Sequence, residues 1–187
     1  MKNNRKTSAL TYAAVTAAAY AALTLALAPI SFGPVQFRVS EILCILPFFL
    51  PSTAAGLFVG CLISNIFSAN ALDIVFGSLA TLAAALITAR CGKKGRSVRH
   101  MAAGCAATVI INAVVVGSVI TKGFIALPLR GHLPAYLLNI LQVALGETVV
   151  LFGGGLPLMV YLSRKAVFEK FTETKRTDNT EENDNEG

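Results

Sequence analysis

Residues 101–121 read MAAGCAATVIINAVVVGSVIT, an uncharged run of the length that a membrane-crossing helix needs. A bilayer core requires about 20 predominantly apolar residues when it is crossed by helix. Outward from this run, comparable apolar stretches lie at about 8–30, 40–51, 53–68, 72–90 and 135–163, separated by Pro, Asn and basic breakers. The chain is 55% hydrophobic and 14% charged, with mean hydropathy +0.65. The fold class expected is an all-α integral membrane protein with six transmembrane helices. Only the second stretch is short: a dozen residues give an α-helix of about 18 Å. Tilting, partial re-entry or shielding by neighbouring helices would each accommodate it.

Charge supports the count. With the N-terminus inside and six crossings, the inner segments hold Lys2, Arg5, Lys6, the cluster Arg90–Arg99, and Arg164 onward, thirteen of the sixteen basic residues. The outer segments keep Arg38, Lys122 and Arg130. This is the positive-inside pattern, so both termini are expected in the cytoplasm. The net charge of +6 therefore reflects topology, and nucleic acid is not an expected partner; the lipid bilayer is. Lys2, Arg5 and Lys6 before an apolar run ending Ala26-Leu27-Ala28 resemble a signal peptide. The run is long for a signal core, however, and Pro29 would hinder cleavage, so a retained first helix is expected. Residues 1–168 form a single transmembrane domain. The acidic, polar stretch 169–187 has almost nothing to bury and is expected to be disordered.

Seven of the ten carboxylates fall in the last nineteen residues; the other three, Glu41, Asp73 and Glu147, lie within the greasy stretch. A charge at mid-bilayer costs about 2.5–3.5 kcal/mol even on lenient scales, so such acids have a task or a partner. On this topology the polar residues favour the outer half. Gln36, Arg38 and Glu41 lie between the first two helices, and Asn65, Asn70 and Asp73 between the third and fourth. Asn139, Gln142, Gly146 and Glu147 share one helical face, with Glu147 about 16 Å along its helix. Asn112 lies at comparable depth on the fifth helix. The functional reading is an outward-facing pocket for a small polar solute, lined by Gln36, Arg38, Glu41, Asn65, Asp73, Asn112, Asn139, Gln142 and Glu147. The bland reading is interhelical hydrogen bonding, with Arg38 and Glu41 neutralising each other and Asp73 capping a helix. The four cysteines lack metal-ligand spacing and read as packing residues and reduced thiols.

Small residues line the first helix in two rows, Ala13-Ala17-Ala21 and Ala14-Ala18-Ala22. Either row would let backbones approach closely in lipid, within this fold or against a separate partner. Gly153-Gly154-Gly155 and Pro157 predict a kink in the sixth helix.

Two stretches carry a resemblance: residues 32–41 (FGPVQFRVSE, followed by Leu46-Pro47) and 72–82 (LDIVFGSLATL). Both resemble the queuosine-precursor transporter (QueT) family, over about residues 9–164. That family comprises substrate-binding (S) components of energy-coupling factor (ECF) transporters. The resemblance implies a six-helix bundle binding one small solute at its extracellular side. It implies association with a transmembrane coupling protein and two ATPases, and toppling in the membrane to release cargo. It also implies that an alanine row of the first helix docks on the coupling protein. No Gly-x-x-x-x-Gly-Lys-Ser/Thr occurs, so no nucleotide cofactor is expected in this chain and ATP hydrolysis falls to partner subunits.

The implied cargo is a 7-deazaguanine such as queuine or its aminomethyl precursor. A carboxylate suits its N–H edge, an amide its carbonyl, and a second acid an aminomethyl cation. Glu147 or Glu41 with Asn139, Gln142 or Gln36 would fill these roles, and Phe32, Phe37 or Tyr136 would stack. The alternatives are an S component for another vitamin or nucleobase, or a structural membrane assembly protein. A membrane serine protease would need Ser78 near a histidine, and His100 and His132 both fall in or beside loops.

Overall fold

The computed structural model describes residues 2–32, 37–67, 71–124 and 133–165. Among them every regular element is helical. Helix α1 (Lys2–Ala26) is followed by the short α2 (Ala28–Ser31), with Pro29 in its first turn, where a missing N–H is harmless. A 3₁₀ helix covers Val39–Phe48, and α3 covers Thr53–Ile66. A first π-helical segment, Asp73–Gly77, runs into α4 (Ser78–Lys94). Helix α5 (Val98–Phe124) precedes α6 (Leu133–Thr148), which continues through a second π segment (Val149–Gly155) into α7 (Leu156–Arg164).

Four of these helical stretches are long and apolar enough to cross a membrane: Lys6–Ala26, Asp73–Lys94, Val98–Thr121 and Leu133–Arg164. The second and third expected spans form the two shorter apolar helices, Val39–Phe48 and Thr53–Ile66. The acidic stretch 169–187 lies outside the described residues.

The 3₁₀ form explains how so short a second segment reaches so far. Its rise of about 2.0 Å per residue carries ten residues about 20 Å, against about 15 Å as α-helix. Pro47 within it has no N–H to donate and tolerates the altered ladder. Glu41 near its start faces Thr81 on α4. Phe48 at its end packs its carbonyl where a Cβ on Gly92 would sit, about 16 Å further along α4 at 1.5 Å per residue.

Helices approach most closely where glycine meets alanine. A Cβ on Gly56 of α3 would collide with the backbone carbonyl of Ala13. One on Gly60 would lie 2.7 Å from the Ala17 carbonyl and 2.8 Å from Tyr20 Cβ. The row Ala13-Ala17-Ala21 is therefore committed to α3, with Ala17 and Ala21 buried. Its neighbour, Ala14-Ala18-Ala22, is exposed along its whole length. The two rows, equivalent in sequence, have separate fates.

The buried interior divides by chemistry. Toward the α4–α5 turn it is apolar, with Ile45, Phe48, Met101, Cys105, Leu151 and Met159 in one cluster. The other end holds buried Thr24, Arg38, Glu41, Asn65 and Asp73. Along the last helical stretch Val143, Glu147, Leu151, Gly155 and Met159 are all buried, four residues apart. An α-helix rotates such a row by about 40° per step. The wider turns of the second π segment offset that drift, and the triple glycine is continuous helix rather than a break.

Because the Gly60 Cβ would meet backbone, Gly60→Ala should destabilise the protein by about 1–3 kcal/mol, the range for overpacking. Ala18→Leu on the exposed row should leave stability unchanged. Thermal unfolding of the purified protein in detergent checks both, and an unchanged Tm for Gly60→Ala would contradict the close α1–α3 contact.

Candidate solute-binding site

In a 3₁₀ helix, side chains three apart are eclipsed, so Glu41 and Cys44 stand on the same edge. Cys44 Sγ donates to Glu41 Oε2 at 2.9 Å. Tyr20 of α1 donates its hydroxyl to Glu41 Oε1, and Thr81 Oγ1 of α4 lies 3.5 Å from the same oxygen. One turn beyond Tyr20, Thr24 Oγ1 and Ser40 Oγ are 2.6 Å apart. Glu41 and Tyr20 are both inaccessible to solvent. The carboxylate is thus caged by donors from two helices and its own segment.

Arg38 enters the same region from the residue before the 3₁₀ helix. Its Nη2 lies 3.4 Å from Asp73 Oδ2, with both side chains buried. Its guanidinium carbon sits 5.7 Å from the centroid of Phe32, a cation–π distance. Cys61 Sγ accepts from Arg38 Nη1 at 3.9 Å. Asn65 Nδ2 donates to the Asp73 carbonyl at 3.0 Å, tying α3 to the first π segment. Gly77 leaves the room this requires, since a Cβ there would lie 2.5 Å from Asp73 Oδ1 and 3.0 Å from Asn65 Nδ2.

Two bland readings are corrected here. Asp73 is not a helix N-cap: residues 71 and 72 are already helical, and its carboxylate turns to Arg38. Arg38 takes its ion pair with Asp73 and not with Glu41, whose oxygens face hydroxyl and thiol donors.

Across the interior, Asn112 Nδ2 of α5 donates to Glu147 Oε1 of α6 at 3.3 Å, both side chains buried. The 3₁₀ helix that carries Glu41 packs against the second π segment, which begins two residues after Glu147. Arg38 Nε, Asp73 Oδ1, Asn112 Oδ1 and Glu147 Oε2 are buried and make no hydrogen bond among the described residues. Such atoms cost about 1–3 kcal/mol each when left unmet.

The remaining expected residues separate from this core. Asn139 is half-buried and donates to Thr121 Oγ1 at 3.1 Å, an α5–α6 tie. Gln142 is half-buried on the same face, and Tyr136 contacts Ser118 at 3.2 Å. Gln36 and Asn70 lie outside the described residues. Ser78 begins α4, whereas His100 lies in the first turn of α5 beside Gly95, past the far end of α4 and about 25 Å away along its axis, so they form no nucleophile–base pair. His132 is outside the described residues. Among the described residues no group of three His, Cys, Asp or Glu side chains is placed to hold a metal ion.

Sequence reasoning missed Tyr20, Thr24, Ser40 and Thr81, and took Cys44 and Cys61 for packing alone. A signal existed on α1: Tyr12, Thr16, Tyr20 and Thr24 recur every four residues among alanines.

A family profile described as QueT transporter matches residues 10–164, spanning every helix from α1 to α7. The chain belongs to the QueT transporter family. The family is described as one of transporters, and together with the four long apolar helices it indicates a multi-pass membrane protein. One relative is the queuosine precursor transporter QueT of Lactococcus lactis subsp. cremoris (strain MG1363), 42% identical over 83 residues. That match covers 44% of this chain and 49% of the relative, so the chain spans about half the length of the curated relative it matches. No solved structure matches.

If Tyr20 holds the Glu41 carboxylate as the geometry describes, Tyr20→Phe leaves a buried acceptor short of a donor. The expected loss is about 1–3 kcal/mol of stability, read as a lower Tm. Tyr161→Phe, at an exposed ring of α7, should leave Tm unchanged. Equal effects would contradict the special role of Tyr20.

Proposed function

We propose that this chain is the solute-binding subunit of an ECF transporter in the cytoplasmic membrane of a prokaryote, capturing a 7-deazaguanine precursor of queuosine such as queuine or its aminomethyl precursor. The observation that carries the reading is a group of unmet buried atoms that includes Arg38 Nε and the acceptors Asp73 Oδ1, Asn112 Oδ1 and Glu147 Oε2, with the Ser31 and Ser78 hydroxyls also unmet among the described residues. A 7-deazaguanine with an aminomethyl-type side group has a complementary bias over the whole molecule, several N–H donors on the base and side group beside one carbonyl. Burial in a low-dielectric interior makes each unmet atom costly, so a ligand that meets them gains affinity and specificity. The queuosine-precursor name of the Lactococcus lactis relative supports the substrate class.

In this reading all six apolar helical segments cross the membrane, with both termini in the cytoplasm, as the positive-inside count requires. The polar end of the bundle then faces the exterior. Ala14, Ala18 and Ala22 form the surface for the transmembrane coupling protein, while Ala13, Ala17 and Ala21 hold α1 to α3. The two ATPase partners supply the energy.

Titration of the purified protein with queuine should give saturable one-to-one binding, and Glu147→Gln should weaken it about ten-fold or more, the loss of a charge-assisted bond. Absence of binding by any 7-deazaguanine would refute the substrate class. Ala18→Leu should abolish co-purification with the coupling protein at unchanged ligand affinity; retained co-purification would remove the exposed row from the docking surface.

A further inference from the structure

Each buried acid has a different electrostatic situation. Asp73 is neutralised by Arg38 at 3.4 Å. Glu41 is enclosed by the Tyr20 hydroxyl and the Cys44 thiol, with Thr81 beside them. Glu147 has no cation within ion-pair distance among the described residues; it receives one amide N–H and keeps one oxygen unmet. Its amide partner is oriented by necessity, because the Asn112 oxygen turned toward the carboxylate would place acceptor against acceptor. That orientation leaves Asn112 Oδ1 unmet as well. The Asn112–Glu147 pair therefore offers two unmet acceptor oxygens, one of them on a carboxyl group, with the second amide N–H of Asn112 beside them.

We infer that Glu147 and Asn112 form a subsite for a cationic group of the ligand, selecting a protonated amine over a neutral substituent. The inference rests on the proposed 7-deazaguanine reading and assigns the ends of the ligand within it. An ammonium brings three donors and a compensating charge, meeting both acceptors. A nitrile brings lone pairs only, and a methyl group brings neither donor nor charge. Both would leave a buried carboxylate oxygen unsatisfied, the arrangement by which binding sites reject close analogues strongly. The Arg38–Asp73 pair, with its spare donor and spare acceptor, is left for the N–H and carbonyl edge of the base.

The test compares 7-aminomethyl-, 7-cyano- and 7-methyl-7-deazaguanine for binding to the full chain in lipid nanodiscs by calorimetry. The aminomethyl compound should bind at least about ten-fold tighter than either neutral analogue, in line with a charge-assisted contact. In Glu147→Gln that ratio should shrink to within about three-fold, because the charged acceptor is gone. Equal affinities for the three compounds in the wild type would overturn the inference while leaving the 7-deazaguanine reading intact. Persistence of the ratio in Glu147→Gln would also overturn it. Failure of all three to bind would overturn both. The wild-type ratio decides the matter even if the variant does not accumulate.

Discussion

A carboxylate that is withdrawn from water must be surrounded by donors, and the fold is organised around meeting that demand at Glu41. The Tyr20 hydroxyl comes from α1, the Cys44 thiol from the 3₁₀ helix itself, and Thr81 from α4. No other single group joins these three elements through side-chain hydrogen bonds among the described residues. Its placement fixes the start of the 3₁₀ helix, and that start positions Arg38 beside Asp73. The ion pair in turn depends on Gly77 and on the π turn, which open a space for the Asp73 side chain. Polar satisfaction, rather than apolar packing, thus specifies one end of the bundle, while the other end is held by ordinary hydrophobic contact.

Much of this was legible in the sequence. Apolar run lengths located the four long helical stretches and the two shorter apolar helices, because lipid leaves backbone groups no partner except their own segment. Of the helical face Asn139, Gln142, Gly146 and Glu147, the structure buries Gly146 and Glu147 and leaves Asn139 and Gln142 half-buried. Pairing was less accessible. Periodicity states which way a side chain points along its own helix and nothing about what stands opposite. Arg38 and Glu41, close in sequence, suggested each other; the tertiary arrangement gave Arg38 to Asp73, 35 residues on. The Tyr20–Glu41 bond was invisible for the same reason, as was the part Cys44 plays in it. The 3₁₀ form of residues 39–48 was equally hidden, since hydropathy measures length in residues and not in rise per residue.

The two alanine rows of α1 teach a related lesson. Their compositions are identical and their spacing is the same, so no local rule separates them. The glycines of α3 do. Gly56 and Gly60 form a groove matching one row only, and the other is left bare by elimination. Membrane helices associate through such steric fit because lipid provides no hydrophobic incentive of its own. One helix consequently has a face devoted to internal packing, a face bearing Tyr20 and Thr24, and a face open to the bilayer.

The second π segment has an evolutionary reading. A π turn is what an α-helix becomes when it absorbs an extra residue without breaking, so Val149–Gly155 has the form of an accommodated insertion. Excision of one residue there, with a return to α-helical winding, would leave everything after it in its present bearing, because the wide turn takes up the rotation of the extra residue. Glu147 and Met159 would both keep facing the interior. The glycine triplet behaves as a vernier between the two halves of the last helix, keeping the carboxylate and the apolar base on one bearing across a change in length.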